Sequence, residues 1–180
     1  MIITLGWHLG AGKSTLGRKL AEFYWYKKYS TGDFMRELAL ERWISLIDLG
    51  HEAETDGWII DNILDNRQIR LWKEEDNFII DGRLAFHFIP HGIKIFLTID
   101  PLEAARRVFQ DQSRSWVESH ETIAHAAENI ITRRMSENER YMKYYGLNIY
   151  NMWSYDIVID TTMKTVEEVF EIIKNRIHEL

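Results

Sequence analysis

An apolar run, Ile2-Ile3-Thr4-Leu5, is followed within a few residues by Gly10-Ala11-Gly12-Lys13-Ser14-Thr15. Strand, glycine-rich turn, Lys-Ser and helix in that order leave a chain few folds to adopt. The glycines let backbone N–H groups curl inward around an anion, while the next helix aims its positive end at the same spot. That is a cradle for a nucleoside triphosphate, in which Lys13 reaches the β- and γ-phosphates and the Ser14 hydroxyl ligates Mg²⁺. The spacing departs from G-x-x-x-x-G-K-[ST] at one place. Counting back from Gly12, Trp7 occupies the first glycine position, and Gly6 lies one residue too early.

The rest of the chain agrees with a parallel sheet. Five short β-like runs can be read: Ile2–Leu5, Lys27–Ser30, Phe78–Asp81, Ile93–Ile99 and Asp156–Asp160. They alternate with helical stretches, the pattern of an α/β fold with helices over both faces. Asp100-Pro101-Leu102-Glu103 predicts an N-cap with proline at the first helical position. Thr165-Val166-Glu167-Glu168 predicts a capping box opening a last helix, with Val166, Val169, Phe170, Ile173 and Ile177 on one face. A long helix is expected from about Glu121 to Tyr144. Residues Phe34 to Trp72 carry no convincing strand and read as a helical insertion, while Asp111 to Glu121 is polar and reads as a loop between helices.

Composition narrows the classes. The 180 residues suit one domain, and the net charge of −6 argues against a general nucleic-acid binder, so an anionic ligand needs a local cluster of arginines. No apolar stretch approaches the ~18 residues of a membrane span, there is no cysteine to form a disulfide, and the first residues enter a strand without a leader pattern. A cytoplasmic protein is expected, with a monomer as default.

Arginines and small polar residues recur after the strands. Thr31-Gly32-Asp33-Phe34-Met35-Arg36 reads as a turn at the carboxyl end of the second strand, able to grip a second phosphorylated ligand. Asp81-Gly82-Arg83 ends the third strand; Asp81 could hold Mg²⁺ through water and Arg83 could fork onto a phosphate. Arg106 and Arg107 follow the fourth strand, and Arg114 lies in the polar loop. Arg133, Glu137 and Arg140 share one face of the long helix. Each alone is compatible with a solvated surface; together they exceed what one anion needs and suit two phosphorylated substrates meeting end to end. His87 and His91 flank Pro90, and His120 and His125 have no ligand companions, so no metal or nucleophile-base site is expected of them.

Seven tryptophans are present, oddly placed. Trp7 stands at a phosphate-loop glycine position, and Trp25, Trp43 and Trp72 follow helical patterns at their expected ends, which favour glycine. Trp58, Trp116 and Trp153 lie in polar, turn-like surroundings, and none falls on a periodic core stripe. Either the chain is rich in tryptophan, or several of these residues are glycines encoded by UGA.

Taken together, these segments resemble the nucleoside monophosphate kinases, and within them the cytidylate kinases of the compact archaeal-like type. The likeness runs nearly the full length, most specifically in Ser30-Thr31-Gly32-Asp33-x-x-Arg36-Glu37-Leu38-Ala39, Asp81-Gly82-Arg83-Leu84-Ala85, Arg133-x-x-Ser136-Glu137-x-x-Arg140-Tyr141 and Tyr155–Thr161. The resemblance implies a P-loop NTPase three-layer fold with a five-stranded parallel sheet. Its core would comprise residues 1–33, 73–110 and 122–180, with an acceptor-binding insertion at about 34–72 and a lid at about 111–121. It implies ATP with Mg²⁺ as donor and CMP or dCMP as acceptor, with no nucleic-acid or membrane partner. Thr31, Arg36, Arg83, Arg133, Glu137 and Arg140 match acceptor-holding positions, joined by Gly32 and Asp33 beside them. Arg107 and Arg114 would touch donor phosphates, and Lys13 and the arginines would carry the transfer. Asp61, Asp65, Arg67 and Gln68 have the chemistry for the base. An adenylate kinase, another small-acceptor kinase, or a nucleotide-binding protein inactivated by Trp7 are the alternatives.

Overall fold

The computed structural model describes residues 1–55, 57–110 and 122–180. The strands are β1 Ile2–Trp7, β2 Lys27–Ser30, β3 Phe78–Asp81, β4 Ile93–Thr98 and β5 Ile157–Asp160. They form one parallel sheet in the order β2-β3-β1-β4-β5. Strands β1 and β3, inside the sheet, are buried along their whole length, as strands covered on both faces require. Strand β2 is an edge and carries Lys27 and Lys28, which discourage further strand pairing.

Eight helices flank the strands among the described residues: α1 Lys13–Tyr24, α2 Thr31–Glu41, α3 Leu46–Thr55, α4 Gly57–Glu74, α5 Ala85–Phe88, α6 Pro101–Gln110, α7 Ile123–Tyr145 and α8 Val166–Glu179. Their starts follow local chemistry. Asp100 Oδ1 accepts from the N–H groups of Leu102 (2.9 Å) and Glu103 (3.1 Å) at the head of α6, and the Thr165–Glu168 capping box closes on α8. The helix α7 begins at Thr122, whose hydroxyl accepts from His125 N–H. Thr31-Gly32-Asp33 is not a free turn: Ser30 Oγ accepts from Gly32 N–H at 3.1 Å and the three residues form the first turn of α2.

The chain forms two compact units. One is Met1–Gly6 with Gly17–Ile95, the other Trp7–Leu16 with Phe96–Leu180. In the first, α2, α3 and α4 pack on one another, and their apolar faces meet β1 and β3 around Leu38, Leu49, Ile60, Phe78, Ile80 and Ile89. Each such side chain removed from water contributes about 1.5–3 kcal/mol. Trp72 packs against this cluster and meets His91 edge-on at 5.6 Å. It is a core-facing residue inside α4, not a residue beyond a helix end. Trp58 also lies within α4, and Trp116 is outside the described residues. In the second unit α6 packs along α7, and Phe96, Leu97, Ile130, Ile157, Ile159 and Phe170 are buried.

Candidate functional site

The second unit holds the glycine-rich loop. After β1, His8 N–H donates to Leu97 O at 2.8 Å, and Ala11 N–H returns to His8 O at 3.1 Å. Gly10 and Gly12 take φ of 84° and 83°, a left-handed backbone open to glycine and strained for other residues. Gly10 is required twice over, because a Cβ there would lie 2.9 Å from the Ala104 backbone on α6. The loop delivers the chain into α1 at Lys13, so the helix N-terminus faces a cavity of about 570 Å³. Gly10, Ala11, Gly12, Lys13, Ser14 and Thr15, the residues expected to hold the triphosphate, all line it.

Arg107 and Lys164 supply further positive charge to the cavity wall. Arg107 is pinned: its Nε donates to Glu103 Oε1 at 3.0 Å, and Nη2 donates to the carbonyls of Thr161 (2.9 Å) and Thr162 (3.0 Å). Lys164 was not among the expected site residues. Its position directly before the Thr165 cap, after the last strand, was the available signal. Nearby, the Thr162 hydroxyl and N–H hold the Asp160 carboxyl below the usual carboxylate range.

Trp7 also lines the cavity, with its side chain buried. Lys13 Nζ stands 4.2 Å from the centroid of the Trp7 ring, a cation–π contact worth roughly 0.5–2 kcal/mol.

On α7, Arg133 Nε donates to Glu137 Oε1 at 3.1 Å, and Glu137 Oε2 accepts from the Tyr150 hydroxyl at 3.5 Å. The Arg140 guanidinium lies 5.0 Å from the Tyr141 ring centroid. All three residues lie within the one helix α7. Arg114, with the expected lid, lies outside the described residues.

The first unit gathers the other expected residues. Register in the sheet places Ser30 level with Asp81, so the residues that follow each strand meet. A Cβ on Gly82 would stand 2.8 Å from Thr31 Cγ2 and 3.1 Å from Gln68 Oε1. Thr31, Gly32, Gln68 and Gly82 are thus brought together, with Arg83 next in the chain. Helix α4 turns three polar side chains inward at i, i+4 and i+7: Asp61, Asp65 and Gln68, each less than a tenth exposed. Polar groups are costly to bury without partners, yet among the described residues Gln68 Oε1 is buried with no hydrogen-bond donor.

Other candidates are held in ion pairs. Arg36 pairs with Asp33 on the same helix. Arg67 braces α4 to α2 through Glu37 (3.3 Å) and Glu41 (2.6 Å). Asp81, 1% exposed, accepts from Lys28 Nζ at 2.8 Å, a partnership that sequence spacing did not suggest. Among the described residues no cluster of three His, Cys, Asp or Glu could hold a metal, and no helix is long and apolar enough to cross a membrane.

Residues 2–163 match the sequence profile of the cytidylate kinase-like family. The cytidylate kinase of Methanocella arvoryzae is 34% identical over 184 residues, spanning 100% of this chain and 98% of that one. The cytidylate kinase of Pyrococcus furiosus is 34% identical over 181 residues, spanning 100% and 90%. In three dimensions the chain is similar to the shikimate kinase of Bacteroides thetaiotaomicron, with a TM-score of 0.69 and 18% identity across 100% of this chain and 99% of that one. That likeness speaks for a P-loop kinase fold alone. Profile, full-length relatives and fold agree: the chain belongs to the cytidylate kinase-like family and is a kinase.

Proposed function

We propose that this protein transfers the γ-phosphoryl group of ATP to CMP or dCMP, giving the diphosphate and ADP. The observation that carries the proposal is the loop Gly10–Thr15, whose two left-handed glycines and following helix N-terminus line a cavity with Lys13, Ser14, Arg107 and Lys164. Backbone N–H groups and a helix dipole there suit a polyphosphate and not a neutral ligand.

Ser14, exposed in the first turn of α1, offers the oxygen a hard divalent cation prefers; Asp81 would act only through water, since Lys28 already engages its carboxylate. Mg²⁺, when bound there with the donor, would supply positive charge against its phosphates, with Ser14 as the residue that would hold it. Lys13 meets the β- and γ-phosphates, and Arg107, fixed by two carbonyls, forms a rigid wall of the donor site.

The acceptor falls to the first unit. Thr31, Gly32, Arg36 and Arg83 address its phosphate, with Asp33 holding the Arg36 guanidinium, and the buried Asp65 and Gln68 address its base. Cytosine presents an N4 amine donor beside two acceptors, and the Gln68 amide offers an acceptor and a donor to match. Arg133, Glu137 and Arg140 on α7 are assigned to the acceptor as well, and Arg114, outside the described residues, to the donor phosphates. The helical segment of about residues 34–72 serves as the acceptor-binding insertion. Transfer then needs no covalent intermediate; it is positioning and charge stabilisation.

A coupled ADP-release assay across CMP, dCMP, UMP, AMP and GMP tests this. Stimulation by CMP or dCMP above the others is expected; preference for AMP would assign the chain to adenylate kinase chemistry instead. Stimulation by none, with position 7 as tryptophan and as glycine, would leave a nucleotide-binding protein instead.

A further inference from the structure

Helices α1 and α2 stop in the same way. The residue beyond each last turn has a left-handed backbone: Trp25 at φ 58° and Trp43 at φ 57°. Both stops carry the paired hydrogen bonds of a Schellman motif. Trp25 N–H donates to Glu22 O (3.4 Å) and Tyr26 N–H to Ala21 O (2.9 Å); Trp43 N–H donates to Leu40 O (3.1 Å) and Ile44 N–H to Ala39 O (3.1 Å). Glycine is the residue for this position, because a Cβ there crowds the following carbonyl. Helix α7 does end so, on Gly146 at φ 67°.

A buried side chain could offset such strain through packing. These two indoles do the opposite, each being 94% exposed. The largest side chain in the code therefore stands twice at a glycine stop with nothing gained from burial. Trp72, packed on the core, shows what an integrated indole looks like in this fold.

Trp7 is a third case of a different kind. It holds the first glycine position of the phosphate-loop spacing that ends in Gly12-Lys13-Ser14, and its ring engages the Lys13 ammonium at 4.2 Å. The amine required at a phosphate is held on an aromatic face inside the donor cavity.

We propose that positions 7, 25 and 43 are glycine positions of this protein, encoded by UGA codons that its source organism reads as glycine. The glycine form is the one in which Lys13 engages the donor. One reassigned codon accounts for all three sites, where independent substitutions would need the same unfavourable exchange three times. The assignments at 25 and 43 stand on backbone geometry; that at 7 rests also on the kinase assignment.

The first test is the codon in the gene. UGA at positions 7, 25 and 43 is expected, and UGG at position 25 or 43 overturns the proposal. The second compares the purified chain with W7G for Mg·ATP binding by titration calorimetry. W7G is expected to bind at least ten-fold more tightly. Equal or weaker binding, or a W7G chain whose circular dichroism shows it unfolded, overturns the assignment at position 7. A W7G chain that binds tightly yet phosphorylates no nucleoside monophosphate upholds the glycine assignment and refutes the kinase assignment instead.

Discussion

Replacing Trp25 and Trp43 together by glycine should stabilise the fold, although Trp→Gly is ordinarily among the more damaging exchanges. The left-handed conformation costs an L-residue roughly 1–2 kcal/mol relative to glycine. Against that, glycine's extra freedom in the unfolded chain takes back about 0.4–1 kcal/mol. Burial contributes almost nothing, since each indole is 94% exposed. Taken at the middle of both ranges, the balance is about 0.8 kcal/mol of stabilisation per site. The two stops share no hydrogen-bond partner, so the effects should add to about 1–2 kcal/mol. For a chain of this size that is roughly 2–8 °C in Tm. Urea titration and thermal melting, followed by far-ultraviolet circular dichroism, would measure it. The W25A/W43A chain is the control: alanine removes the indole but keeps the Cβ, so it should gain little or nothing. A less stable glycine double variant, or an alanine variant equal to it, would refute the reasoning from backbone strain.

Other perturbations, made in the W7G chain, address the site. Lys13→Ala should reduce phosphoryl transfer at least 10³-fold while leaving the circular dichroism spectrum unchanged; retained turnover would remove Lys13 from the chemistry. Gly82→Ala places a methyl 2.8 Å from Thr31 Cγ2 and 3.1 Å from Gln68 Oε1. It should therefore raise KM for the acceptor about ten-fold with KM for ATP unmoved, and equal effects on both substrates would contradict the division of roles. In acid, Glu168 and Asp160 are informative. The Thr165 N–H and hydroxyl hold the Glu168 carboxyl low, and Thr162 does the same for Asp160. Groups with depressed folded-state values stabilise fully above the unfolded carboxylate range and lose that contribution as pH falls through their folded values. Urea midpoints should therefore drop between pH 5 and pH 3, and Glu168→Gln should flatten the decline; an equally steep decline in the variant would deny the capping carboxylate that role.

Much of this architecture was readable because its determinants are short-range. Short β-like runs marked β2 and β3 to the residue, and the side-chain caps at Asp100 and Thr165 acted within a single helical turn. Trp25 and Trp43 betrayed their backbone for the same reason, since a helix stop is a local event. What escaped depends on distant partners. Lys28 and Asp81 meet only because β2 and β3 are neighbours, and Thr31 meets Gly82 because register levels the two strand ends. Lys164 enters the donor cavity through the path of the chain after β5. The first turn of α2 looked like a loop because its residues, Thr, Gly and Asp, are poor helix formers; the Ser30 cap prevailed over propensity. Trp72 was misplaced because burial in α4 comes from tertiary packing, not from its neighbours in sequence.

The central claim is that the terminal phosphoryl group of a donor held by the glycine-rich loop passes directly to a cytidine monophosphate. Phosphorus NMR of the W7G protein with Mg·ATP and CMP would follow that group. The signal of the ATP γ-phosphorus should decay as that of the CDP β-phosphorus grows in equal amount. Appearance of inorganic phosphate without CDP, or no change at all, would contradict it.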